Sequence, residues 1–178
     1  QGFVEELCCQ WGVECVVGRP DSPLADRPGG VGLEAAARRA RYAFLRQTAA
    51  RLGARYVATA HTADDQIETI LHRVIRGTGL AGLSGMARAR RLGPCTLIRP
   101  LLGVRRAEVM AYLSDLGQPY RTDASNRDTR LTRNRIRLEL LPLLAQRFNP
   151  RVGDALLRLG ALAAETKGVV DGLVEQLA

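Results

Sequence analysis

A strand-like segment followed directly by a helical one, between residues 55 and 76, most constrains the fold of this chain. The segment RYVATAH (55–61) is rich in the β-branched and aromatic residues that favour strands. The next residues are apolar at intervals of three and four, the spacing of one helix face: Ile67, Ile70, Leu71, Val74 and Ile75. An earlier apolar stretch, VECVVG (13–18), is followed by a helical segment over 33–53. Alternating strands and helices predict an α/β domain with a parallel sheet.

The remaining sequence predicts one more strand and several helices. TLIRPLLG (96–103) favours a strand, and RRAEVMAYLSDLG (105–117) favours a helix that ends at Gly117. A polar stretch then leads to an apolar helix that should end near Pro150, and the last 28 residues have a helical pattern.

The glycines of IRGTGLAGLSGM (75–86) match the spacing of a dinucleotide-binding fingerprint, Gly-x-Gly-x-x-Gly. That fingerprint requires a strand before the glycines and a helix after them. Here a helix precedes Gly77, and the basic stretch ARARRLGPC follows. The segment is therefore interpreted as a glycine-rich loop that leaves a helix at Gly77.

Positive charge is concentrated in one part of the chain. Residues 86–137 contain twelve arginines and only four acidic residues, whereas the rest of the chain is neutral. Such a segment is typical of proteins that bind phosphate groups, most simply those of a nucleic acid. No apolar run approaches the roughly 20 residues that cross a membrane. The four cysteines form no C-x-x-C pair, which argues against a zinc knuckle or a thioredoxin-like centre.

Acidic side chains cluster at the start of the helix that follows His61. Asp64, Asp65 and Glu68 fall on one stripe of that helix, at the edge of a parallel sheet where ligands bind. Capping of the helix after Thr62 is an alternative role for the two aspartates, and for Asp64 in particular. Because several carboxylates at one helix start repel one another, a cation is expected among them. A metal ion, with His72 as a further ligand, an ammonium group and an arginine all remain possible.

Two stretches together resemble one family. AHTADDQIETILHRVIRGTGLAGLSGM (60–86) and DASNRDTRLTRNRIRLELLPLLAQRFNP (123–150) are similar, in order, to the tRNA(Ile)-lysidine synthetases. The resemblance implies an adenine-nucleotide-hydrolase-like α/β fold of the PP-loop ATP-pyrophosphatase kind with a helical C-terminal extension. It implies adenylation by ATP, with Mg2+, of the wobble cytidine of tRNA(Ile) with a CAU anticodon. L-lysine then displaces AMP to form lysidine, and the expected location is cytoplasmic.

The resemblance also implies roles for individual residues, and none of them is a metal ligand. Asp65 and Glu68 would recognise lysine. The residues bordering ATP would be His61, Arg76, Gly77 and Gly79. The residues near the tRNA or the mouth of the active site would be Asn126, Arg133, Asn134, Arg135 and Arg137.

One motif of that family, Ser-Gly-Gly-x-Asp-Ser, has no match in this sequence. We therefore expect an N-terminally truncated chain, with a partial PP-loop domain over 1–148 and a helical connector over 149–178 towards a further domain. These residues alone are expected to form no lysidine. Two alternatives stay open: a related PP-loop tRNA thiolase, although such enzymes usually need paired cysteines, and a non-catalytic tRNA-binding module.

Overall fold

The structure is a computed structural model, and it describes residues 1–20, 33–123 and 128–177. Up to residue 98, the helices are α1 (Gly2–Gln10), α2 (Leu33–Arg51), α3 (Ala63–Ile75) and α4 (Leu80–Leu83). The strands are β1 (Tyr56–Ala58), β2 (Ala89–Leu92) and β3 (Cys95–Ile98). After residue 98, the chain contains a 3-10 turn (Pro100–Gly103), α5 (Arg106–Asp115), α6 (Thr132–Arg135), a π-helical turn (Ile136–Leu140), α7 (Leu141–Arg147) and α8 (Val152–Leu177).

The described strands form one sheet in the order β1-β3-β2. Thr96 N–H donates to the carbonyl of Arg55 at 2.9 Å, and Thr59 N–H donates to that of Ile98 at 3.0 Å, a parallel pattern between β1 and β3. Strands β2 and β3 form an antiparallel hairpin that turns at Gly93, whose φ is +62°. The α/β class with parallel pairing is confirmed, and the sheet is mixed because of this hairpin.

The strand predicted over residues 13–18 is wrong. These residues have no assigned strand structure, and Val13 and Val17 are 56% and 45% exposed. Strand-favouring residues form a strand only where a neighbouring strand supplies hydrogen bonds, and no described strand lies beside this stretch. Strand β1 is also shorter than the predicted RYVATAH segment (55–61), since it covers only Tyr56–Ala58.

Contacts divide the chain into two compact units, Gln1–Val57 with Arg91–Leu97 and Ala58–Arg90 with Ile98–Ala178. In the first unit a small core of Ala49, Leu92, Cys95 and Leu97 packs with Tyr42, Leu45 and Val57. The candidate site lies in the second unit.

In the second unit the apolar face of α3 is buried, as its spacing predicted. Ile67 and Ile70 are 2% and 0% exposed, and α8 packs against α3 and α4. Gly160 permits this close approach, because a Cβ there would lie 2.5 Å from Cδ1 of Ile70. Within the described ranges, no helix combines the length and apolarity needed to span a bilayer.

Candidate active site at the start of helix α3

The N-terminus of α3 is built by Thr62 and Asp65. Thr62 has an extended backbone, with φ of −101°, and precedes the first helical residue. The Asp65 carboxylate accepts the backbone N–H of Thr62 at 2.8 Å and its hydroxyl at 3.0 Å, both through Oδ2. Asp65 therefore stabilises the start of the helix with one oxygen and leaves the other for a different partner.

Asp64 stabilises a different helix. Its Oδ2 accepts the backbone N–H of Arg106 at 2.6 Å, the first residue of α5, and its Oδ1 lies 3.3 Å from Nη2 of Arg105. The capping role considered for the aspartates is therefore divided between two helices, since Asp65 acts on α3 and Asp64 on α5. The link from Asp64 to Arg106 spans 42 positions, so the helical spacing of the sequence carried no signal for it.

Two arginines bind the carboxylates of Asp65 and Glu68. Arg133 donates through Nε to Glu68 Oε2 at 2.7 Å and through Nη2 to Asp65 Oδ1 at 2.7 Å. Arg137 donates through Nε to Glu68 Oε1 and through Nη2 to Glu68 Oε2 at 3.1 Å. Every carboxylate oxygen of Asp65 and Glu68 thus accepts at least one hydrogen bond. Among the cations that the sequence left open, arginine is the one that meets the carboxylates in this structure.

This cluster of Asp65, Glu68, Arg133 and Arg137 is electrically balanced and largely removed from water. The Glu68 side chain is only 1% exposed, whereas the Arg133 and Arg137 side chains are 30% and 28% exposed. The hydrogen bond to Glu68 raises the pKa of the Arg137 guanidinium above its ordinary value, and partial burial opposes that shift. The Arg137 guanidinium therefore keeps its charge beside Glu68.

The helical geometry of residues 132–140 directs both arginines towards α3. Arg133 and Arg137 are four positions apart and share a face. Asn134 is buried and donates to the carbonyl of Asp128 at 3.0 Å, while Arg135 is exposed. Pro142 has no N–H for the carbonyl four residues earlier, which suits the wider π-helical turn that precedes it.

The structure does not bring the four residues predicted to border ATP together. His61 lies before α3, where its Nδ1 contacts the Thr59 hydroxyl at 2.9 Å. Arg76, Gly77 and Gly79 follow the other end of α3, roughly 20 Å away for a helix rise of about 1.5 Å per residue. There a cavity of about 260 Å³ is lined by His72, Arg73, Arg76, Gly77 and Thr78. Asn126 lies outside the described residues.

The glycine-rich loop is held against α3 by two side chains that the sequence analysis did not single out. Arg73 donates through Nη1 to the carbonyls of Gly82 and Gly85 at 2.9 and 2.7 Å. Gln66 accepts the N–H of Met86 at 2.7 Å and donates to two carbonyls of the same loop. Their spacing of seven positions on one helix face was the signal that could have identified them.

Gly77 has the backbone conformation that a helix stop requires, with φ of +74°. We expect Gly77→Ala to lower the free energy of unfolding by about 1 kcal/mol, because an L-residue is strained in the left-handed region. Gly172→Ala, in open space on α8, should instead raise it by about 0.5–1 kcal/mol through helix propensity. Chemical denaturation of both variants measures the change in the free energy of unfolding, which should be negative for Gly77→Ala and positive for Gly172→Ala. Equal changes in the two variants would contradict this account of Gly77.

A second cavity, of about 330 Å³, adjoins the cluster. It is bordered by charged side chains from α3, α5 and the π-helical turn and by an apolar wall from α7 and α8. Its charged lining residues are Asp64, Glu68, Arg105, Arg106 and Arg137, and the apolar ones include Ile67, Leu141, Pro142 and Val152. Within the described ranges, no three His, Cys, Asp or Glu side chains are grouped closely enough to hold a metal ion. The alternative of a metal bound by Asp65, Glu68 and His72 thus receives no support.

The chain has an α/β fold, and acidic and basic side chains meet at the start of the helix that follows a parallel strand. These features together define a class of protein. The chain belongs to the PP-loop domain family, whose model matches residues 1–144. More particularly, it is similar to tRNA(Ile)-lysidine synthases, which confirms the resemblance found in the sequence. The enzyme of Thermosynechococcus vestitus is 40% identical over 177 residues, covering 99% of this chain and 49% of that protein. The enzyme of Rhodopirellula baltica is 42% identical over 178 residues, covering 99% of this chain and 45% of that protein.

The chain thus spans about half the length of these relatives. A solved structure, the U34-tRNA thiolase NcsA from Methanococcus maripaludis with its 4Fe-4S cluster, has the same fold. It matches 90% of this chain and 55% of its own with a TM-score of 0.68, at 16% sequence identity. At that identity the likeness establishes the fold alone.

Proposed function

We propose that this chain is the part of a tRNA(Ile)-lysidine synthase that recognises lysine and the tRNA. The observation that carries the proposal is the pair of carboxylates, Asp65 and Glu68, held beside two arginines at the start of α3. In the proposed reaction, the C2 oxygen of the wobble cytidine attacks the α-phosphorus of ATP and releases pyrophosphate. The ε-amine of lysine then attacks C2 and displaces AMP.

Asp65 and Glu68 would bind the lysine ammonium, since charge-assisted hydrogen bonds to carboxylates are the strong ones. Three of their four oxygens already accept hydrogen bonds from Arg133 and Arg137, and the fourth accepts those of Thr62. An ammonium group therefore competes with guanidinium groups for the same acceptors. A third cation in the cluster would leave it with a net positive charge. Lysine binding is therefore expected to loosen at least one arginine contact, and a tRNA phosphate is a suitable alternative partner for that arginine.

For ATP, the side chains at the far end of α3 offer positive charge and open space. Arg76 is exposed there, and neither Gly77 nor Gly79 has a neighbour within 4 Å of where a Cβ would be. These features suit the approach of a phosphate to the backbone. Mg2+ would accompany the ATP phosphates and reduce their charge. His61, at the other end of α3, would contact a different part of the nucleotide.

Binding of tRNA should depend strongly on salt, because the arginine-rich segment 86–137 has few aromatic residues on which bases could stack. Arg135→Ala should weaken binding and reduce the slope of log affinity against log salt by about 1. Fluorescence anisotropy from about 50 to 200 mM salt measures that slope. Arg51→Ala removes an exposed arginine of α2, outside the segment, and should leave the slope unchanged. Equal slopes for wild type and Arg135→Ala would remove Arg135 from the tRNA interface.

The direct test is incorporation of radiolabelled lysine into tRNA(Ile) by the full-length gene product. Incorporation should require ATP and a CAU anticodon, and one AMP should be released for each lysine attached. A tRNA with another base at the wobble position is the control. Absence of incorporation, under conditions in which a lysidine synthase relative is active, would refute the proposal.

Sulfur transfer by a related PP-loop tRNA thiolase, the alternative that the sequence left open, is the second candidate. The same assay with a sulfur donor in place of lysine separates the two, because a thiolase would label the tRNA with sulfur and ignore lysine. A non-catalytic module would bind tRNA and attach neither. A cytoplasmic location and a domain boundary near residue 148 also remain proposals. Helix α8, which follows that boundary, contacts α3, α4 and α7, which precede it.

A further inference from the structure

Arg99, directly after β3, is a buried cation without an acidic partner among the described residues. It is 3% exposed. Its Nη1 donates to the carbonyl of Ala87 at 2.6 Å, and its Nε is buried with no hydrogen-bond partner. No carboxylate within residues 1–20, 33–123 and 128–177 lies within 4.0 Å of its guanidinium group.

This arrangement differs from that of Glu68, the other deeply buried charge in the described chain. A guanidinium group cannot lose its proton in a protein, so Arg99 carries its charge into the interior. Buried charges are normally paired, as Glu68 is by two arginines. A purely structural contact with the Ala87 carbonyl needs only a neutral donor. Among the described residues, the charge of Arg99 is therefore uncompensated.

The position of Arg99 in the fold is one where ligands bind. Strand β3 runs parallel to β1, and Thr59 N–H donates to the carbonyl of Ile98, the residue before Arg99. Arg99 therefore stands at the carboxyl end of a parallel strand, the edge at which α/β sheets bind their ligands.

A cavity of about 780 Å³ is lined by residues near Arg99, whereas Arg99 itself lies behind that lining. Its lining includes Ala87, whose carbonyl Arg99 binds, and Leu102 and Gly103 of the turn that follows Arg99. Arg88 also lines it and is exposed, with no ion pair among the described residues. The guanidinium of Arg88 lies against Gly103. A Cβ added at Gly103 would be 2.9 Å from Nη2 of Arg88, so the guanidinium occupies the space that a side chain there would fill. The volume is within the range of small-molecule sites, roughly 300–1,000 Å³.

We propose that Arg99 and Arg88 form an anion site for a phosphate group, supplied by a nucleotide or by an RNA backbone. Arg99 would provide a buried charge already stripped of water, and Arg88 an exposed charge that attracts the anion to the cavity. This site is distinct from the cluster of Asp65, Glu68, Arg133 and Arg137, and it does not depend on the proposed function.

Thermal unfolding of the full chain in inorganic phosphate or pyrophosphate, compared with chloride at equal ionic strength, tests the site. At about a hundredfold excess over Kd, the wild-type Tm should rise by roughly 5 °C or more. Arg99→Met should unfold at an equal or higher temperature than wild type in chloride, because it removes an unpaired buried charge, and should lose the rise with phosphate. Arg91→Met removes an exposed arginine of β2 and should keep the full rise.

Arg88→Met supplies the second variant. It should leave the Tm in chloride unchanged and raise the phosphate concentration for half-maximal effect at least fivefold. ATP and a single-stranded RNA oligonucleotide then identify the source of the phosphate, according to which one gives a Tm rise that disappears in Arg99→Met. The proposal is overturned if the wild type shows no phosphate-specific rise. It is equally overturned if Arg99→Met lowers the Tm in chloride while the phosphate rise persists, since Arg99 would then only clamp the Ala87 carbonyl.

Discussion

Glu68→Ala should lower the free energy of unfolding by about 3 kcal/mol. Removing one partner of a buried ion pair leaves the others uncompensated, and here two guanidinium groups lose the carboxylate between them. The figure is at the lower end of the usual range of about 3–5 kcal/mol, because the arginine side chains retain almost a third of their exposure. In a chain of this length the Tm should fall by roughly 6–12 °C.

Denaturant unfolding, with the same slope for wild type and variant, measures this loss. Asp171→Ala is the control, because it breaks an exposed pair with Lys167 on α8 and should change stability by no more than about 0.5 kcal/mol. Replacing Glu68, Arg133 and Arg137 together by methionine should recover most of the lost stability, since the buried carboxylate and both of its partners are then removed and only the partly exposed Asp65 keeps its charge. A Glu68→Ala protein as stable as wild type would mean that Glu68 is not a buried partner of the two arginines in solution.

Asp65→Asn should raise the KM for lysine by about 10- to 150-fold in the full-length gene product. That range corresponds to the roughly 1.5–3 kcal/mol of a hydrogen bond to a charged group. The asparagine oxygen can still accept the N–H of Thr62, so the start of α3 should survive the substitution. Affinity for tRNA should change by less than about twofold, because the substitution removes no cation that faces a phosphate.

This expectation rests on the proposed function, and the split between lysine and tRNA is what distinguishes recognition from a general structural defect. Asp115→Asn, an exposed change near the end of α5, should leave both quantities unchanged. Equal loss of tRNA affinity and lysine use in Asp65→Asn would show that the residue supports the fold of the cluster. A variant with the wild-type KM for lysine would remove Asp65 from the lysine site.

Much of the local structure followed from the sequence because local interactions decide it. The apolar spacing from Ile67 to Ile75 predicted α3 to within one residue, and Gly77 ended that helix with the positive φ that glycine adopts without strain. The strand predicted over 13–18 failed for the complementary reason. A strand depends on a neighbour that is distant in sequence, and residue preference alone carries no information about that neighbour.

The candidate site divides in the same way. Carboxylates on one stripe of a helix can be read from spacing, and so can the need for a cation among them. Which cation meets the carboxylates cannot be read from the spacing. Arg133 is 65 positions from Glu68 and 68 from Asp65, and nothing in its local sequence separates it from the exposed Arg135 two positions on.

By itself, the sequence determined the helices α2, α3, α5, α7 and α8, the location of strands β1 and β3, the acidic stripe on α3 and the resemblance to a family through two motifs. Only the tertiary structure decided which charges meet: Asp64 with α5, Glu68 with two arginines, and Arg99 with no acid in the described chain. The physical reason is the separation along the chain between the atoms that interact. Helix formation and turns depend on atoms a few residues apart, whereas an ion pair depends on where folding places side chains that the chain itself keeps far apart.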